Sequence, residues 1–181
     1  MPNERATVVQ TPAGAELTFT HLVGRDEISR CFAYTVGFVG PNAGIDPLKM
    51  LGGVVSVEGE SDPKRWFSGL VSEFRLTRIE DRLAYYEAVV RPWLWFLGNT
   101  TDCRIFQNMT AVEIVEKIFS KYGTAKFEKR LQGSYPSREY CVQYDESDLD
   151  FVQRLLEHEG IFYFFEHDEG KHTLVLCDAM S

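Results

Sequence analysis

The sequence predicts a mainly β protein with an α+β second unit: a β-barrel-like or sandwich domain over 1–98, then a helix, a strand, a helix and a β-hairpin over 99–181. Three observations lead there. Residues 16–97 read as strands, and two runs in them, Leu17–Val23 and Phe32–Phe38, place apolar side chains at period two, as strands with one buried face do. Turn formers interrupt that part at short intervals, and no helical period runs through it, the pattern of a small barrel or sandwich. Near Asn99 the period changes to three-to-four, as in amphipathic helices.

The elements follow in order. In ELTFTHLVG, Leu17, Phe19, His21 and Val23 alternate with polar neighbours; in CFAYTVGFVG, Phe32, Tyr34, Val36 and Phe38 alternate with small ones. GPNAG and ESDPKR read as loops. The runs WFSGLVSEFRLTRI and LAYYEAVVRPWLWFL, separated by the polar EDR, read as an antiparallel hairpin. In the second unit, Thr110 and Glu113 make a T-x-x-E capping box. Ile114, Val115, Ile118, Phe119 and Tyr122 form the apolar stripe behind it, and Gly123 is expected to stop the helix in a left-handed conformation. EYCVQY reads as a strand. Ser147 and Asp150 repeat the capping pattern, with Asp148 near the positive end of the helix dipole. Leu149, Val152, Leu155 and Leu156 form the second stripe, Gly160 ends it, and IFYFFEH and HTLVL around DEGK form the closing hairpin. Trp93, Trp95 and Phe96 are expected to be buried at the junction of the units, because an exposed block of that size promotes association. Phe106, Leu155, Phe162 and Phe164 complete the expected core.

Composition narrows the function classes. With 44% hydrophobic and 13% aromatic residues, the chain can bury a sizeable core. No apolar run approaches the ~20 residues of a membrane span. MPNERATVVQ lacks a charged-then-apolar leader pattern, so synthesis and folding in the cytoplasm are expected. Cys31, Cys103, Cys141 and Cys177 are far apart without C-x-x-C spacing, which argues for buried thiols over a zinc site. The net charge of −8 concentrates between Tyr144 and Gly170, where nine acids face only Arg154. Lys121–Arg138 is basic, with Glu128 its one acid. An acidic chain without a long basic stripe is a poor nucleic-acid binder, because phosphate contacts dominate that affinity.

The search for chemistry centres on LLEHEGIFYFFEHDEGKHTLVL, which holds three of the four histidines. A zincin needs H-E-x-x-H, but His158-Glu159 runs into Gly160, Ile161 and Phe162, where the helix has stopped. His167 and His172 flank the hairpin turn and could face each other on paired strands. The simpler reading places all three as solvated residues at element ends, His158 near a helix C-terminus that mildly favours an imidazolium. G-x-S-x-G, G-x-x-x-x-G-K-[ST] and G-x-G-x-x-G are absent, and Cys141 has no histidine nearby in sequence. No catalytic residue, cofactor or metal ligand is assigned. A carboxylate- or zinc-dependent hydrolase stays as the alternative class, reached only if the histidines converge.

The same stretch carries another signal. YCVQYDESDLDFVQRLLEHEGIFYFFEH resembles the N-terminal hub region of the VgrG spike proteins of bacterial type VI secretion systems, through Tyr144-x-Glu146-Ser147-Asp148-x-Asp150-Phe151-Val152, Glu159-Gly160-Ile161 and the aromatic run to Glu166-His167. RPWLWFLGNTTDCRIFQNMTAVEIV resembles that family's junction, with Asp102-Cys103-Arg104-Ile105-Phe106-Gln107 following the aromatic block, and LGGVVSV and FSGLVSEF fit its first barrel. The resemblance runs from about Glu16 to Asp178. It implies a phage baseplate hub-like fold, a homotrimeric ring of pseudo-sixfold symmetry, and a structural role between the tube of stacked Hcp hexamers and the spike needle. It implies baseplate proteins and effector cargo as further partners, assembly in the cytoplasm and later translocation with the spike. Members continue well beyond this length, so the second unit is expected to be incomplete here and piercing is not assigned to these residues.

A three-subunit ring joins one face of each subunit to a different face of the next. On that implication, the basic arm of Lys126, Lys129, Arg130 and Arg138 is expected near an acidic strip of the neighbouring subunit or of later hub segments.

Overall fold

The computed structural model describes residues 9–59 and 63–179, so the expected ESDPKR turn lies partly outside the described residues. The chain forms two compact units. The first takes residues through Glu27, then Cys31–Pro92 and Glu166–His172; the second takes Ile28–Arg30, Trp93–Phe165 and Thr173 onward. The division thus falls at Pro92/Trp93 rather than at 98/99, and the tip of the last hairpin belongs with the first unit.

The first unit is one antiparallel sheet. Its strands are β1 (Val9–Gln10), β2 (Thr18–Arg25), β3 (Ala33–Gly40), β4 (Val54–Gly59), β5 (Arg65–Glu80) and β6 (Leu83–Arg91). They stand in the order β1-β4-β5-β6-β3-β2 and curl into half a barrel. Alternation sets the core: Phe32, Tyr34, Val36 and Phe38 on one side of β3, and Ala84, Tyr86, Ala88 and Val90 on β6, are all buried. Each such large apolar side chain contributes about 1.5–3 kcal/mol. Asp81 and Arg82, both at positive φ, make the two-residue turn that joins β5 to β6.

Two local expectations change. On β2 the register with β3 shifts between Phe19 and His21, so Leu17 is buried while His21 and Val23 are exposed. One extra residue in a strand reverses the face of everything after it. Between β3 and β4, after the expected GPNAG loop, the chain makes a short helix, α1 (Pro47–Met50), that was not expected. Asp46 caps it by accepting from the Leu48 N–H at 2.9 Å, with Pro47 at the first helical position.

The second unit opens with a 3-10 helix over Trp93–Asn99 instead of continuing the β6 strand, because Pro92 has no N–H for the ladder. Then come β7 (Thr101–Phe106), α2 (Ala111–Phe119), β8 (Phe127–Arg130), β9 (Cys141–Ser147), α3 (Asp148–His158), β10 (Phe162–Asp168) and β11 (Lys171–Cys177). β7 and β9 pair antiparallel as a two-stranded ribbon, and β10-β11-β8 form a second sheet in which β8 runs parallel to β11. β7 and β8 were not expected: β7 turns the polar Asp102 and Arg104 inward, and β8 is the short polar FEKR.

Both capping patterns form. Thr110 Oγ1 accepts from the Glu113 N–H at 3.2 Å while Glu113 accepts from the Thr110 N–H at 2.7 Å. Ser147 Oγ accepts from the Asp150 N–H at 3.0 Å. α2 buries Ile114, Val115, Ile118 and Phe119; α3 buries Phe151, Val152, Leu155 and Leu156. Gly160, at φ +69, closes α3 with its own N–H on Glu157 and the Ile161 N–H on Leu156. Gly123 plays no such part. α2 stops earlier, at Phe119, and winds down through i→i−3 bonds from Lys121 and Tyr122.

Trp93 is buried, its ring edge-on to Phe119 at 4.9 Å and its Nε1–H donating to the Lys126 carbonyl at 3.1 Å. Phe106 and Leu155 are also buried, whereas Trp95 and Phe96 are half-buried. On β10 the expected Phe162 and Phe164 are half-buried, and Ile161, Tyr163 and Phe165 are the inward residues. The left-handed turn at Gly160 brings Ile161 in first, and period two sets the rest.

Candidate functional site

The parity of β10 continues past Phe165 to His167, and that places the histidines. His167 is 4% exposed, its ring 4.9 Å from Phe32, 5.9 Å from Tyr34 and 6.4 Å from His172. His172 is buried, its ring edge-on to Phe32 at 5.5 Å. Only His158, 72% exposed at the end of α3, is a solvated residue at an element end. The expectation that all three are solvated therefore fails for His167 and His172, which occupy positions of the apolar alternation.

His167 is tied on both ring nitrogens. Nδ1 lies 3.1 Å from the Ser68 carbonyl and 3.2 Å from the Ser68 N–H; Nε2 lies 3.4 Å from Tyr34 Oη and 3.7 Å from Asp26. Tyr34 donates to Asp26 at 3.4 Å. Burial first, then the Asp26 charge and hydrogen bond, push the Tyr34 pKa up, which keeps the phenol protonated as a donor. Around this cluster the hairpin tip is seated by hydroxyls. Ser68 Oγ donates to the Asp168 carbonyl at 2.6 Å, Ser56 Oγ meets Ser68 Oγ at 2.6 Å, and the Gly170 N–H donates to Ser56 Oγ at 3.1 Å. His167 thus meets the backbone of Ser68 while the Ser68 hydroxyl is committed to a carbonyl, which is packing geometry and not that of a nucleophile with its base. Among the described residues, no group of three His, Cys, Asp or Glu side chains is placed to hold a metal ion.

A second polar centre, unforeseen in the sequence, lies inside the second unit. Asp148, in the first turn of α3 as expected, is buried and accepts from Arg104, from Gln143 Nε2 at 2.8 Å and from Tyr122 Oη at 2.8 Å. Burial alone would raise its pKa; the hydrogen bonds from Arg104, Gln143 and Tyr122, with the guanidinium charge, outweigh that and hold it below the usual carboxylate range. The inward alternation of Asp102, Arg104 and Phe106 was the signal available.

The basic arm is largely paired within its own unit. Lys129 Nζ lies 2.5 Å from Glu116, Arg130 3.0 Å from Glu128, and Arg138 2.5 Å from Glu159 and 2.9 Å from His158. Lys126 is exposed.

Residues 25–181 match the family model of the phage tail baseplate hub (GPD). The type VI secretion system spike protein VgrG1b of Pseudomonas aeruginosa is 40% identical over 178 residues, which are 97% of this chain and 24% of that protein. The chain therefore spans about a quarter of the length of the curated relatives it matches. Among solved structures, the E. coli c3393 protein, described as a component of the type VI secretion system with structural similarity to the T4 bacteriophage tail proteins gp27 and gp5, superposes with a TM-score of 0.82 at 26% identity, covering 96% of this chain and 49% of that one. The 43 kDa tail protein of prophage MuSo2 from Shewanella oneidensis shares the fold, with a TM-score of 0.68 at 16% identity over 94% of this chain and 52% of that one.

Proposed function

Given that this chain belongs to the phage tail baseplate hub family, we propose that it builds the N-terminal part of the hub of a type VI secretion spike. In this reading it acts as a homotrimer between the Hcp tube and the spike needle. The observation that carries it is the 40% identity to a type VI spike protein across 97% of this chain. The role is mechanical. The side chains that could have served catalysis are used in packing: His167 and His172 stand in an aromatic core, Ser68 seats the hairpin tip, and Asp148 is locked to Arg104. The hydrolase alternative required the histidines to converge on a reactive centre; His167 and His172 do come together, but against Phe32, and among the described residues no three His, Cys, Asp or Glu side chains are placed to hold a metal ion. Baseplate proteins and effector cargo complete the proposed set of partners, with assembly in the cytoplasm followed by export with the spike. No described helix is long and apolar enough to cross a membrane.

The test is genetic. Deleting residues 25–179 from the encoded protein in its native host is expected to stop release of the tube protein into the medium, and the intact gene is expected to restore it. Undiminished release from the deletion strain would overturn the reading.

A further inference from the structure

The outward face of the β7–β9 ribbon has the wrong chemistry for a surface in water. On β7 the inward residues are Asp102, Arg104 and Phe106, and on β9 they are Cys141 and Gln143. Outward stand Cys103 and Ile105, with Val142 directly across from Ile105 and Tyr144 two residues further along β9. Tyr140, just before β9, extends the row. Ile105 is 61% exposed, Tyr140 57% and Tyr144 78%. The free face of an antiparallel pair is ordinarily polar, and single exposed apolar residues mean little, but a contiguous apolar face marks an interaction surface. Among the described residues the ribbon has two strands, so each presents an edge beside that face.

The charges around it select the occupant. Glu139 and Asp145, the immediate neighbours of Tyr140 and Tyr144, are exposed, while the nearby Arg138 and Arg154 are paired with Glu159 and Glu146, which leaves the rim acidic on balance. The same unit carries the opposite surface: residues 116–130 hold Lys117, Lys121, Lys126, Lys129 and Arg130 against Glu116 and Glu128. Lys121 and Lys126 are exposed there beside the half-buried Tyr122 and Phe127. An acidic-rimmed apolar face and a basic arm on one chain make a head-to-tail contact between copies, the kind that closes a ring.

We infer that the outward face of the β7–β9 ribbon is the docking surface for a second copy of this chain, which presents the exposed Lys121 and Lys126 of its basic arm. The inference rests on the trimeric hub reading and names the surface that reading leaves open. Ile105, Tyr140 and Tyr144 supply the buried apolar contact; the rim charges set register and association rate.

The test mixes unlabelled and nitrogen-15-labelled chain, couples amines to carboxylates with a water-soluble carbodiimide, and reads mixed-isotope cross-linked peptides by mass spectrometry. The expected products join Lys121 or Lys126 of one copy to Glu139 or Asp145 of another, in diminishing yield as salt is raised. In parallel, Ile105→Asn with Tyr144→Ser is expected to weaken self-association measured by light scattering by about tenfold or more. Hydrogen exchange in α2 and α3 should stay at the wild-type level and exclude unfolding as the cause. Self-association with cross-links elsewhere, or undiminished in the double variant, would overturn this surface and leave the hub reading standing. A chain that stays monomeric at every concentration would overturn the surface as a copy–copy contact. Protection of Ile105 and Tyr144 only by later segments of a longer spike polypeptide would overturn it equally.

Discussion

Asp148 and Arg104 form an ion pair inside the second unit, Asp148 1% and Arg104 14% exposed, between the first turn of α3 and the middle of β7. Gln143 and Tyr122 complete the carboxylate's hydrogen bonding, so one side chain joins β7, β9, α3 and the turn after α2. Breaking such a pair costs more than the pair contributes, because the surviving charge stays buried. Arg104→Ala is therefore expected to lose about 3–5 kcal/mol in chemical denaturation. A loss under about 1 kcal/mol would mean that water reaches Asp148 and that the pair is a surface one.

The same carboxylate has a pH signature. Its folded pKa lies below the usual value of about 3.9, so its contribution is fully present above that pH and is lost as pH falls through the lowered folded value. The stability gap between wild type and Asp148→Asn should be constant above about pH 5 and shrink below about pH 4. Urea midpoints across that range check it; a gap that widens in acid would reverse the assigned sign.

Trp93 and Trp95 should separate by mutation. Trp93 is fully enclosed and hydrogen-bonded, so Trp93→Ala is expected to cost about 3–5 kcal/mol. Trp95 is half-buried, and Trp95→Ala is expected to cost about half as much. Equal losses would show that Trp95 is covered in solution.

Two glycines with the same expected duty should respond differently. At Gly160 nothing crowds a new Cβ, yet φ is +69, so Gly160→Ala should destabilise by about 1–2 kcal/mol. Gly123 is equally open but not left-handed, so Gly123→Ala should stay within about 0.5 kcal/mol of wild type. Thermal unfolding of both variants decides the matter, and similar losses would contradict it.

The hairpin tip offers a local readout. Ser68→Ala removes the donor to the Asp168 carbonyl and the partner of Ser56 Oγ, at a cost of about 1–3 kcal/mol. The Gly170 amide, held by Ser56 Oγ, should then exchange faster. Unchanged exchange at Gly170 would show that the histidine and aromatic packing alone seats the tip.

By itself the sequence determined whatever depends on neighbours a few residues apart. Period two on β3, the caps at Thr110 and Ser147, the apolar stripes of α2 and α3 and the left-handed stop at Gly160 all rest on local sterics and local hydrogen bonds. The local motifs of Tyr144–His167 and Arg91–Val115 also carried the family. Tertiary structure decided the rest. The bulge that turned His21 and Val23 outward depends on pairing with β3, and the burial of Asp148 depends on Arg104, a residue 44 positions away. The placement of His167 depends on Ser68, 99 positions away. A charged or imidazole side chain reads as solvated in sequence because burying it is costly without a partner, and only the folded chain supplies the partner that reverses the balance.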